Sequence, residues 1–116
     1  MESILTSVKK DLGIMEEYEH FDPDIIMDIN VAFSILTQIG VGPSEGFFIT
    51  DKTSVWTDFI PESAYSAMVK KYVSMKTKVL FDNNGTGAVI DALEREIIQM
   101  EWRLNVAVDP AEDENG

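Results

Sequence analysis

The spacing of apolar residues predicts α-helix along most of the chain. Apolar side chains recur at steps of three and four residues, which places them on one face of a helix. This pattern covers four segments, about 4–12, 22–39, 62–81 and 86–105. A further short helix carrying Val55, Trp56 and Phe59 is predicted before the breaker Pro61. The pattern therefore predicts an all-α bundle of four to five helices.

The second predicted helix has the clearest start and the widest apolar surface. Asp22 is a suitable N-cap residue, and Pro23 suits the first helical position. Beside its main apolar stripe, Val31 and Ile35 add a second apolar flank. A helix that is apolar around so much of its circumference belongs at the centre of a bundle or at a subunit interface.

Residues 41–60 form an irregular connection, in which one short hairpin is compatible with the sequence. Its aromatic residues Phe47, Phe48 and Trp56 suit either a core or a protein interface. The last eight residues, DPAEDENG, are acidic and offer nothing to bury. We therefore expect one helical domain over residues 1–108 and a disordered acidic tail over 109–116.

Charge and composition exclude several classes of function. The 116 residues carry 21 acidic and 9 basic side chains, a net charge of −12, which disfavours binding to a phosphate backbone. The chain has no cysteine, which excludes a disulfide scaffold and thiol catalysis. No apolar run approaches the roughly 18 residues that span a bilayer, so we expect no membrane segment.

Groups that carry catalysis or bind metals are sparse. The single histidine, His20, lies in an acidic loop without the arrangement of a catalytic triad. Residues 82–87 resemble the start of a calcium-binding loop, but the twelfth position is Leu93 rather than a bidentate carboxylate. We therefore predict no enzymatic activity, no catalytic residue, no cofactor and no metal site.

Four lysines share the helix predicted over residues 62–81. Lys71 and Lys78 are seven residues apart and therefore lie on the same flank. Such a flank is typical of a solvated surface. It also suits a patch that meets an acidic surface on another copy of the chain or on a partner.

Seven short segments carry a resemblance to a known family. They are Val8–Ile14, Phe21–Ile26, Ile29–Asn30, Gly40–Pro43, Trp56–Phe59, Leu80–Asp82 and Glu101–Asn105. In this order the set resembles the small head–tail connector (adaptor) proteins of tailed bacteriophages and prophages of Gram-positive hosts. The resemblance covers nearly the whole chain except the acidic tail.

The resemblance implies a structural, non-enzymatic subunit of the virion, made in the host cytoplasm and placed at the head–tail junction. Such subunits assemble, commonly as twelve copies, into a ring below the portal protein. The ring extends the DNA channel, through which the genome passes without sequence-specific binding. It also offers a docking platform for a head-closure or tail protein.

The resemblance and the helix pattern together suggest two sets of site residues. In the family, the region after the last helix tends to bind the portal; here that region is Trp102, Arg103, Leu104, Asn105, Val106 and Val108. The helical flanks and loop aromatics are the expected subunit interface: Val31, Ile35, Lys71, Lys78, Phe47, Phe48 and Trp56.

A different class of function also fits an acidic protein of this size, namely a DNA-mimicking inhibitor of a host DNA-binding protein. Such a mimic needs carboxylates spaced like phosphates along one ridge. Here the carboxylates are spread from Glu2 to Glu114 with lysines among them. The charge pattern therefore favours the structural role.

Overall fold

The computed structural model describes residues 2–81 and 87–115, with side chains as far as Ala107. Within these residues it contains five α-helices and no β-strand. The all-α prediction is confirmed. The helices are α1 (Ile4–Leu12), α2 (Asp22–Ile39), α3 (Trp56–Phe59), α4 (Ser66–Phe81) and α5 (Gly87–Asn115).

The pair of helices α2 and α4 forms the centre of the bundle. These two helices share the most extensive contact, α1 packs against both, and α5 packs mainly on α4. Of the two positions that the apolar circumference of α2 predicts, the centre of a bundle or a subunit interface, the contacts within the chain show the first. Its fully buried residues are Ile25, Ile29, Ala32, Phe33 and Leu36.

Glycines end the first two helices. Gly13 and Gly40 adopt left-handed backbone conformations, with φ of 79° and 103°. This conformation lets the next residue turn back, so that the Ile14 N–H donates to the Lys9 carbonyl at 2.8 Å. Because a side chain at this backbone angle is strained, glycine is favoured at both positions.

The start of α2 differs from the sequence prediction. Phe21, not Asp22, occupies the N-cap position, and no side chain caps the helix there. Asp22 is the first residue of the helix, and its Oδ1 lies 2.8 Å from the Lys9 Nζ. The carboxylate pairs with a cation from α1 because Lys9 is buried and needs a counter-charge.

Lys9 is a buried cation with two hydrogen-bonded carbonyls and one carboxylate partner. Its side chain is 2% exposed, and its Nζ donates to the carbonyls of Glu16 at 2.9 Å and Tyr18 at 2.8 Å. The Asp22 carboxylate adds an ion pair at 2.8 Å, which supplies the counter-charge of the ammonium group. Lys9 thus ties the loop between α1 and α2 to both helices.

The connection between α2 and α4 is irregular, and its described residues form no hairpin. Instead, the Asn30 side chain of α2 forms two hydrogen bonds with the backbone of Ile49, at 2.9 and 2.8 Å. The Ile4 N–H donates to the Ser54 carbonyl at 3.0 Å. The Asn30 side chain and the Ile4 N–H therefore satisfy backbone groups of the connection that would be paired with a neighbouring strand in a hairpin.

Helix α5 extends beyond the end predicted near Asn105, because its backbone is helical as far as Asn115. The side chains of residues 108–116 lie outside the described part, so the flexible acidic tail over 109–116 stays a prediction. The calcium-like segment is also outside it for residues 82–86.

The substitution Lys9→Met tests the buried ion pair. It leaves the Asp22 carboxylate without its counter-charge and two carbonyls without their donor. The free energy of unfolding should therefore fall by about 3 kcal/mol. Urea denaturation measures this change. The neighbouring Lys10 is exposed, and Lys10→Met should change stability by no more than about 0.5 kcal/mol. Equal effects of the two substitutions would contradict the assigned role of Lys9.

Candidate functional site

Groups suited to catalysis do not converge in the described part of the chain. None of its histidine, aspartate and glutamate side chains form a group of three that could hold a metal ion. His20 is exposed, and its ring packs edge-on against Phe21 with centroids 4.8 Å apart. No helix among the described residues has the length and hydropathy needed to cross a membrane. The features with functional potential are exposed helix faces.

The outer face of α5 carries an exposed apolar stripe. Ile98, Trp102 and Val106 follow one another at steps of four, and they are 63%, 66% and 41% exposed. The inner face of the same helix is anchored by Ile97 and Leu104, which are 3% and 0% exposed. The stripe is therefore presented on a helix that the core holds firmly.

A partly buried hydrogen bond helps to fix the rotation of α5. The Tyr72 hydroxyl of α4 donates to the Glu101 carboxylate at 2.7 Å. Burial, followed by the hydrogen bond and charge of Glu101, raises the pKa of Tyr72 far above its ordinary value, so the hydroxyl remains a donor. Because Glu101 precedes Trp102, this bond also sets the direction in which the tryptophan points.

The residues predicted to bind the portal divide into two groups. Trp102, Arg103 and Val106 are exposed, whereas Asn105 is half-buried and Leu104 is fully buried. The side chain of Val108 lies outside the described residues. Leu104 therefore positions the helix and offers no surface to a partner in this conformation.

The outer face of α2 combines apolar side chains with unpaired carboxylates. Met27 and Val31 are 65% and 39% exposed, and they line a shallow cleft of about 540 Å³. Asp24 and Asp28 lie one helical turn apart beside them. Partial burial, and then the charge of Asp24, raise the pKa of Asp28. No described cation lies within 4 Å of either carboxylate.

The outer face of α4 lines a groove of about 560 Å³ between α1 and α5. We call it the lysine groove; its α4 residues are Ala67, Lys70, Lys71, Ser74, Met75 and Lys78. Leu93 and Glu96 of α5 and Asp11 of α1 border it, so its three lysines outnumber its two carboxylates. The Ser74 hydroxyl donates to the Asp11 carboxylate at 2.7 Å. The lysines are unpaired, because the ion pair of Lys9 with Asp22 is the only one among the described residues.

The predicted subunit-interface residues occupy different environments. Val31, Phe48, Lys71 and Lys78 are exposed, while Ile35 and Phe47 are half-buried. Trp56 is only 6% exposed. Its indole N–H donates to the Ser7 hydroxyl at 3.0 Å, so its ring is committed to the core of its own chain.

The comparisons with known proteins give a family for this chain. A family model described as "Phage connector protein" matches residues 4–111. The chain belongs to the phage connector protein family. A search of curated proteins and a search of solved structures each return no match.

Family membership confirms the resemblance found in the sequence and gives the connector a structural role at the head–tail junction of a phage. A structural connector acts through contacts with other proteins rather than through a reactive centre. Its exposed helix faces on α2, α4 and α5 are therefore its candidate functional surfaces.

The two sides of α5 should respond differently to truncation. Leu104→Ala opens a cavity in the core and should lower the free energy of unfolding by about 3 kcal/mol. Trp102→Ala removes a side chain that is mostly in solvent, so the change should stay within about 0.5 kcal/mol. Urea denaturation of the connector measures both. A large loss of stability in W102A would mean that the tryptophan belongs to the fold rather than to a docking surface.

Asp28→Asn should raise the thermal stability of the free connector at pH 7. The pKa of Asp28 is raised in the folded chain, so ionising this carboxyl costs stability at every pH above its unfolded pKa. The advantage of D28N should shrink as the pH falls from the raised folded pKa toward the unfolded value, because the carboxyl of the folded chain is then neutral in a growing fraction of molecules. Melting curves between pH 7 and pH 4 measure the difference, and a stabilisation that grows toward pH 4 would refute this sign.

Proposed function

We propose that this connector is an adaptor subunit that oligomerises into a ring below the portal protein. The ring would extend the DNA channel and give a head-closure or tail protein a platform for docking. The observation that carries this proposal is the set of apolar side chains left exposed on outer helix faces. Contiguous exposed apolar residues on a protein of this kind mark contact sites for other proteins.

The outer stripe of α5 is the surface best suited to the portal. Trp102 and Arg103 are adjacent and exposed, and tryptophan and arginine are the residue types most enriched at interface hot spots. Val106 extends the same surface by one turn. Leu104 supports this surface from the core, and Asn105 and Val108 complete the segment proposed from the family.

The charge of the connector suits a channel that DNA crosses without being held. A net charge of −12 repels phosphates over a distance of about 8 Å at physiological salt. A ring of such subunits would therefore conduct the genome without sequence-specific binding. The lysines of α4 do not conflict with this role if a neighbouring copy covers them.

The DNA-mimicking inhibitor remains the alternative, and the same surfaces argue against it. A mimic presents carboxylates to the basic groove of its target. The outer face of α4 presents three lysines instead, and the exposed stripe of α5 is apolar. Competition with DNA for a host DNA-binding enzyme would support the inhibitor.

Binding to portal particles tests the proposed function. Purified connector mixed with portal particles should add a ring of density at the exit end of the portal in electron micrographs. Trp102→Ala should weaken this binding by about tenfold or more, because it removes the central aromatic side chain of the surface.

Met15→Ala is the matched control for that experiment. Met15 is 67% exposed, as Trp102 is, but lies in the loop between α1 and α2. M15A should bind portal particles as the unmodified connector does. Portal particles that gain no density at all would contradict the adaptor role, and equal binding by W102A and the unmodified chain would exclude α5 as the portal surface.

A further inference from the structure

The outer faces of α2 and α4 point away from each other. The two helices pack together through their buried sides, which include Ile29 and Phe33 of α2 and Val69 and Tyr72 of α4. An outer face lies roughly opposite the buried face of its own helix. The carboxylates of α2 and the lysines of α4 therefore lie on opposite sides of one subunit.

The outer face of α2 carries carboxylates without a cation partner and apolar side chains without a covering surface. We call it the acidic face and define it by Asp24, Met27, Asp28 and Val31. The two carboxylates repel each other at a spacing of one turn. Partial burial, and then this repulsion, raise the pKa of Asp28. A cation supplied from outside the chain would relieve this repulsion, and an apolar surface would cover Met27 and Val31.

The lysine groove offers both of these features. Lys71 and Lys78 lie on one stripe with Ala67 and Ser74, at steps of four, three and four residues. The small side chains of Ala67 and Ser74 leave a depression between the lysines, and Met75 is among its lining residues. A helix with a short apolar ridge packs into such a depression by the usual ridge-into-groove geometry.

We propose that the acidic face of one copy docks into the lysine groove of the next copy. Asp24 and Asp28 would meet Lys71 and Lys78, and Met27 and Val31 would fill the depression between them. Because the two surfaces differ and lie on opposite sides, the contact is head-to-tail and propagates from copy to copy. The inference deepens the proposed function, since a ring of copies is what this contact would build.

Local charge complementarity explains how strongly acidic subunits assemble. Copies that each carry −12 repel one another at long range. Two opposed pairs of charges at the contact reverse this repulsion locally and fix the relative orientation of the copies. Because no described residue of the same chain pairs with these charges, their pairing in the interface breaks no ion pair within the subunit.

Charge reversal tests the pairing with two variants of the full chain. D24K/D28K makes both faces basic, and K71E/K78E makes both faces acidic. Each variant alone should lose association with itself by about tenfold or more, because like charges then meet. In an equimolar mixture the basic α2 face of the first variant meets the acidic groove of the second. The second variant's own α2 face then meets the unchanged groove of the first, so the mixture should assemble with strict alternation.

Two control variants carry the same changes of net charge at other exposed positions. K10E/K52E matches K71E/K78E, and E17K/E45K matches D24K/D28K. Both controls should assemble alone, and mixing them should add nothing. Native mass spectrometry of the free proteins and the number of copies on each portal particle are the two measurements, and circular dichroism confirms that every variant is folded.

The outcomes separate this proposal from the proposed function. If the unmodified connector forms a ring on the portal but the charge-reversed variants behave like their controls, or fail to recover on mixing, the pairing of faces is wrong and the adaptor role stands. If the mixture assembles but nothing binds the portal, the pairing stands and the adaptor role fails.

The acidic segment 109–116, with four carboxylates, is the competing occupant of the groove. Loss of assembly on its deletion, without any effect of D24K/D28K, would overturn the proposal.

Discussion

The buried ammonium of Lys9 is the interaction on which the arrangement of the first two helices depends. A cation that is 2% exposed is tolerated only with its acceptors in place, and Asp22, Glu16 and Tyr18 supply them. These acceptors lie at the start of α2 and in the loop before it. The charge of Lys9 therefore fixes where α2 begins relative to α1, and hence the direction in which the outer face of α2 points. Lys9, whose partners all lie within its own chain, thus helps to set the direction of a surface that is available to other proteins.

Each long helix of this connector has one side buried in the core and one side exposed to solvent. One side of α2, α4 and α5 closes a shared core, while the other side keeps apolar or charged groups in solvent. Met27 on α2 and Trp102 on α5 are each about two-thirds exposed, although both helices are anchored by fully buried residues. A monomer gains nothing from this exposure. The exposure is explained if other proteins cover these side chains in an assembly. Membership of a connector family leads us to expect such an assembly.

The helices were predictable from sequence because their signals are local. The stop at Gly13, the stop at Gly40 and the apolar period of α2 each depend on a few neighbouring residues. The burial of Lys9 was not predictable, because its acceptors are backbone carbonyls placed by a loop. The prediction of Asp22 as the N-cap was wrong. Phe21 occupies the N-cap position, and the Asp22 carboxylate forms an ion pair with Lys9 instead. Trp102 and Leu104 fell into one predicted surface, although two residues on a helix differ by about 200° in direction. Which of the two residues faces the core depends on the rotation of α5 about its axis. The hydrogen bond of Tyr72 fixes this rotation in part.

The core and the assembly surfaces are mechanically coupled, since both are carried by the same pair of helices. A rotation of α2 against α4 would disturb the packing of Phe33 and Tyr72 and would also move Asp28 relative to Lys71. Close-packed interiors resist such rotations, because side chains that interdigitate have few alternative arrangements. The relative orientation of the acidic and basic faces is therefore as well defined as the core itself. A head-to-tail contact closes into a ring of one size only if that orientation is the same in every copy. If this protein forms the proposed ring, the precision that the ring requires comes from the packing between α2 and α4.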